Sequence, residues 1–116
     1  YKNSQAVNMI VSDEAFVVEP NIFSPDNDGY NDLLNITYSI SEGNLLANIL
    51  VFDEQGRLLK ALERNALLGT SGIIVWDGSD QNGNRCRIGN YIIYIEVYDA
   101  KGNVQVIKRV ATLMLK

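Results

Sequence analysis

"YIIYIEVYDAKGNVQVI", Tyr91 to Ile107, reads as two β-strands joined by one tight turn. Tyr91, Ile93, Ile95 and Val97 share one face, and Ile92, Tyr94, Glu96 and Tyr98 share the other, the period of two that marks a strand. Because the second face is also largely apolar, the strand is expected to be central and covered on much of both sides. The turn is Asp99-Ala100-Lys101-Gly102. Asp at the first position of a type I turn accepts hydrogen bonds from following amides, and Gly at the fourth takes the left-handed conformation that leads into a bulged hairpin.

The same Asp-x-x-Gly pattern returns at Asp53 to Gly56 and at Asp80 to Gly83. Working outward, alternating or apolar runs predict seven strands: Phe16 to Val18, Leu34 to Ile40, Ala47 to Phe52, Leu58 to Leu62, Ile73 to Trp76, Tyr91 to Tyr98, and Val104 to Leu115. Short strands with turn signals at this spacing point to an all-β fold, an antiparallel β-sandwich of the immunoglobulin or fibronectin type III kind. A small barrel is the alternative. "RLLKALERNALLG", Arg57 to Gly69, also fits a short amphipathic helix with Leu58, Leu62 and Ala66 on one face. A strand followed by an irregular loop is preferred there, because "VFDEQGRLL" reads as a hairpin. Residues 1–14 are expected to be a linker or an edge strand from a preceding domain, and residues 15–116 a single Ig-like domain.

At 116 residues the chain suits one domain. Its net charge of −4 disfavours nucleic acid and anionic membranes as partners, and no apolar run approaches the roughly 20 residues of a membrane-spanning helix. The absence of His excludes Ser-His-Asp and Cys-His catalysis and disfavours zinc and copper. The lone Cys86 cannot form an internal disulfide; it reads as a small apolar strand residue, although Arg85 and Arg87 beside it could lower its thiol pKa. Tyr1 follows no initiator Met and no apolar leader, so the chain reads as a piece of a longer protein with any signal peptide upstream.

"NIFSPDNDGYND", Asn21 to Asp32, holds the densest carboxylates. Numbered as a calcium loop from Ser24, it places Asp26, Asp28, the Tyr30 carbonyl and Asp32 where ligands belong, with Gly29 at the sharp turn. Ser24 and Asn35 stand where a full loop has Asp and a bidentate Glu, so the site is expected to be weak, with Kd on the order of 10⁻⁴ to 10⁻³ M. The competing reading is a fourth Asp-x-x-Gly turn, Asp26 to Gly29, with Asp28 as an extra carboxylate. Asp77 and Asp80 resemble an acid/base pair in spacing, but both flank turn glycines and are expected to cap turns. Trp76 is expected to be a core anchor between sheets. Asn35 lies in an Asn-Ile-Thr sequon, but within a predicted strand.

Two of these stretches together resemble a known family. "FSPDNDGYND" resembles the element that opens the gliding-motility-associated C-terminal domains of Bacteroidetes surface proteins, including type B sorting domains of type IX secretion, matching it at Phe23, Ser24, Pro25, Asp28, Gly29, Asn31 and Asp32. "ILVFDEQGRLLKAL" followed by "VWDGSDQNGNRCRIGNYIIYIEVYDAKG" resembles the Ig-like domain of the flagellar hook-capping protein, at Trp76, Asp77, Gly78, Asp80, Gly83, Gly89 and Tyr91. Similar modules occur in lamin-tail-domain-containing proteins. Asp26 and Asn27 stand where sorting domains favour Asn and Gly, and Arg87 where hook-capping domains often have Pro. The resemblance implies a non-catalytic C-terminal sorting or cell-surface attachment module of a larger secreted protein. Its partners would be the upstream domains of the same protein, the export machinery or cell-surface components. Its place would be extracellular or on the outer-membrane surface, reached through the periplasm. The alternative is a calcium-stabilised Ig-like spacer or adhesion module; beyond that weak calcium no cofactor is expected.

Thermal melting in calcium or in chelator separates the two readings of the acidic loop. At calcium near ten times such a Kd, a bound loop gains about 1.4 kcal/mol of stability. The expected result is a higher midpoint in calcium that Asp28→Ala removes; a plain turn gives equal midpoints in both conditions.

Overall fold

The computed structural model describes residues 10–25, 32–41 and 43–114. Eight strands form two sheets: β1 (Phe16–Glu19), β2 (Ile22–Phe23), β3 (Leu34–Ser39), β4 (Leu45–Asp53), β5 (Leu58–Leu68), β6 (Ser71–Trp76), β7 (Gly89–Tyr98) and β8 (Val104–Leu113). One sheet has the order β1-β3-β6 and the other β2-β8-β7-β4-β5. Their facing sides close a sandwich, the fold class that the alternation predicts.

Alternation explains the layers. In β4 every odd residue from Leu45 to Asp53 is buried, and in β7 Tyr91, Ile93, Ile95 and Val97 are buried. These side chains meet Phe16, Leu34, Ile36 and Trp76 of the smaller sheet. Burying a large apolar side chain is worth roughly 1.5–3 kcal/mol, so the inner faces supply most of the drive to stack the sheets. Gly72 of β6 faces Tyr38 of β3, and a Cβ there would lie 2.6 Å from the Tyr38 hydroxyl oxygen. The missing side chain lets the Tyr38 ring lie over the strand, 5.6 Å from Phe16.

The three Asp-x-x-Gly turns share one geometry. In each, the Gly amide donates to the Asp carbonyl, and the Asp amide donates to the carbonyl four residues on. One carboxylate oxygen takes two amides: Gln55 and Arg57 at Asp53, Asn82 and Asn84 at Asp80, Lys101 and Asn103 at Asp99, at 2.9–3.0 Å. Gly56, Gly83 and Gly102 have φ of 80°, 83° and 92°, which a side chain would oppose.

Four expectations are corrected. The predicted loop after Leu62 is strand: β5 runs to Leu68 through register shifts against β4, with Asn65 at φ 51° and its amide on the Asn48 side chain. Bulges break the period of two in this stretch, which is why it also looked helical. β2 is an eighth strand, too short to show a period, and it pairs parallel with β8. Cys86 lies in the loop between β6 and β7, not in a strand. Finally β7 is central as expected, but among the described residues no layer covers its outer face. Residues 10–15 fasten to β8: the Ile10 and Val11 amides donate to Gln105 Oε1 at 2.7 and 2.9 Å, and Val11 and Ala15 are buried.

The turn carboxylates carry a pH signature. Asp99 is held below the usual carboxylate range by its Asn103 side-chain partner and further amides, and Asp53 by the Arg57 backbone amide and side chain. A depressed folded pKa contributes stability that is complete above the unfolded value, near 3.9, and fades as pH falls through the folded one. The urea midpoint is expected to drop below about pH 4. It drops less steeply in the Asp53→Asn, Asp99→Asn double variant, and equal slopes would refute this origin.

Candidate functional site

All the motif residues within the described parts gather at one end of the sandwich. The register places Asp53 beside Tyr91, Tyr91 beside Ala111, and Leu34 beside Trp76, so the ends of β4, β6 and β8 meet the start of β7. β2 adds itself there, with the Met114 amide donating to the Phe23 carbonyl at 2.9 Å.

Trp76 is the centre of this end. Fully buried, it sits 5.3 Å from the Phe23 ring and 5.4 Å edge-on from Tyr91, which joins the two sheets. Its indole Nε1–H donates to the Ser79 carbonyl at 2.9 Å, so the core ring also fixes the loop that follows. Tyr91 donates its hydroxyl to the Arg87 carbonyl at 2.5 Å, fastening the far end of the same loop; burial pushes that phenol up. Between them Gly78 has φ 84°, and a Cβ on it would lie 3.0 Å from Leu113 Cδ1 and 3.1 Å from Pro25 Cγ. Phe23, Ser24 and Pro25 are all buried at this contact. The two stretches matched separately in the sequence therefore pack on each other.

The aspartates of the loop are structural. Asp77 Oδ1 accepts from the Ser79 amide at 3.0 Å and the Ser79 hydroxyl at 2.5 Å, and Lys60 approaches at 3.9 Å. The Ser79 hydroxyl, more than any other group, keeps the Asp77 carboxyl below its usual range. Asp80 is committed to its own turn. Both thus cap turns, as expected, and an ionised Asp77 is no proton donor at neutral pH.

An open groove of about 480 Å³ runs beside this end between the β4–β5 turn and the segment from Arg85 to Tyr91. Its carboxylates have partners: Asp53 Oδ2 meets Arg57 Nε at 2.7 Å, and Glu54 accepts from the Asn90 amide at 3.4 Å. Cys86 lies in the groove half-buried, with its amide on the Gly78 carbonyl. Burial first, then the Asp80 carboxylate, pushes its thiol up, so the flanking arginines do not activate it. Gly89 opens β7 at the groove floor, 3.7 Å from Glu54 Oε1 at its Cβ position. Asn35 is paired within β3 to Glu19 and Val75, in a sheet and not a loop.

Of the calcium candidates, Asp26, Asp28 and Tyr30 lie outside the described residues, as do Gly29 and Asn31; Asp32 lies just before β3. Among the described residues no three acidic or Cys side chains form a metal-binding group.

Residues 17–110 match the family described as the CHU_C type IX secretion signal domain. The chain belongs to that family. No curated protein matches it. Among solved structures, CopC from Methylosinus trichosporium OB3b is similar at 15% identity and a TM-score of 0.45, over 71% of this chain and 74% of that one. For the signal domain, the structure adds three positions that the sequence left out. Leu113 fills the space over Gly78, Ser79 links Trp76 to Asp77, and Arg57 neutralises Asp53. Only Arg57 had a visible signal, four residues after an Asp in a turn.

Gly78 and Gly83 share a φ near 83–84°, but a Cβ on Gly83 meets nothing within 4 Å. Gly83→Ala is expected to cost about 1–2 kcal/mol from backbone strain alone. Gly78→Ala adds overpacking against Leu113 and Pro25 and is expected to cost about 2–5 kcal/mol in total. Urea midpoints read the difference, and equal losses would refute the packing role of this contact.

Proposed function

We propose that this domain is the sorting module of a larger secreted protein, recognised as a folded unit by an outer-membrane export machine and then involved in attachment at the cell surface. The observation that carries this reading is the family match over residues 17–110, together with the packing of both motif stretches into one end of the sandwich. Export as a folded unit suits a domain whose motif aromatics Phe23, Trp76 and Tyr91, with Pro25 and Gly78, are buried. An unfolded chain would not present that assembled end.

The module is non-catalytic on this reading. Asp77 and Asp80 hold backbone amides, the other carboxylates of the groove have partners, and the Cys86 thiol is held protonated. The destination is the cell surface or the medium, reached through the periplasm.

A reporter with an N-terminal signal peptide, fused ahead of this chain in a type IX-competent host, is expected to appear outside the cell. Gly83→Ala, which keeps the packed end, should leave export intact, while Gly78→Ala should lower it. A wild-type fusion that folds and accumulates in the periplasm overturns the proposal.

A further inference from the structure

The outer face of the five-stranded sheet is apolar along rows that cross four strands. At the motif end, Val110, Ile92, Phe52 and Leu58 stand in register across β8, β7, β4 and β5. At the opposite end Val104, Tyr98, Leu46 and Leu67 do the same. Val110 is 62% exposed and Leu67 69%. A solvated sheet face ordinarily alternates to polar residues, and extended apolar patches on soluble proteins mark interaction sites.

Several polar groups in and between these rows are paired within the face. Asn48 Nδ2 donates to Glu96 Oε1 at 2.8 Å, Tyr98 donates its hydroxyl to Asn65 Oδ1, and the Lys108 ammonium sits 6.0 Å from the Tyr94 ring centroid. Covering the face leaves the Asn48 and Tyr98 donors paired, and Lys108 is the charged group for which a partner must supply an acceptor.

We infer that this face pairs with the same face of a second copy of the chain, as a two-fold sheet-on-sheet dimer. Size favours it. Four strands about 4.8 Å apart and about ten residues long span on the order of 600 Å² in projection, close to the roughly 800 Å² per partner of a standard interface. Charge favours it too. Between the two apolar rows, the charged residues that β8 and β7 place on this face are Lys108 and Glu96, of opposite sign and one row apart. A two-fold that lays Lys108 of one copy on Glu96 of the other passes near the middle of the face, and a two-fold interface requires that self-complementarity. A partner with a surface of one sign would leave one of the two buried without its counter-charge.

Sedimentation equilibrium of the 116-residue chain from about 1 μM to about 1 mM tests this, across the affinities of weak to moderate dimers. A concentration-dependent dimer is expected. Val110→Asp should weaken it at least about tenfold, as should Lys108→Glu, and adding Glu96→Lys to Lys108→Glu should restore it to within about threefold. Each variant is first shown to keep its melting transition; Val106→Lys, two rows away, replaces Val110→Asp if that variant loses it. A monomer at every concentration overturns the inference, as does a dimer indifferent to both Val110→Asp and the charge swap. A photo-crosslinker at position 110 that captures only a different protein in the secreting cell also overturns it.

Discussion

The sandwich depends on the place of one indole. Trp76 ends a strand of the smaller sheet, touches Tyr91 of the larger, receives Phe23 from the segment before the acidic loop, and donates to the loop that follows it. Aromatic pairs at such distances add roughly 0.5–1.5 kcal/mol each beyond their buried area. The larger effect is geometric, since three chain segments remote in sequence share one ring. Gly78 makes the arrangement possible by having no side chain where Leu113 and Pro25 close over the ring's neighbour.

The turns obey a different logic. Asp53, Asp80 and Asp99 each solve a local problem with a carboxylate and a left-handed glycine, and none needs the others. That independence is why the pattern recurs along the chain and is visible as text. The Asp77 loop combines both kinds of constraint, because its carboxylate is local while its neighbour Trp76 is global. Deleting a turn aspartate loosens one hairpin, whereas disturbing the ring loosens the junction between sheets.

The sandwich and its turns were legible because period-two burial and Asp-x-x-Gly are local signals. What was missed is non-local. β2 is two residues whose only warrant is a parallel partner, β8, about ninety positions later. β5 hides its strand character behind bulges that only the pairing with β4 explains. The apolar second face of β7 marked the strand correctly as central, but its Ile92 and Tyr94 are flanked by Val110, Phe52 and Leu50 within the same sheet, not covered by another layer. For the site, the sequence supplied the motif residues and not their meeting: Phe23 and Gly78 are over fifty positions apart, and no spacing rule connects them. Of the acidic loop, residues 26–31 lie outside the described residues.

The buried part of the signature has a functional consequence. Phe23, Pro25, Trp76 and Tyr91 are buried, and Gly78 contributes only the absence of a side chain. An export machine that meets the folded domain cannot touch these groups. It meets the loops they position and the sheet faces they align. The buried part of the pattern therefore specifies a scaffold, and what a partner can reach of the folded domain is its exposed residues, Asp77 and Gly83 of the pattern included. The outer rows of the large sheet and the rim of the groove are exposed in the same way.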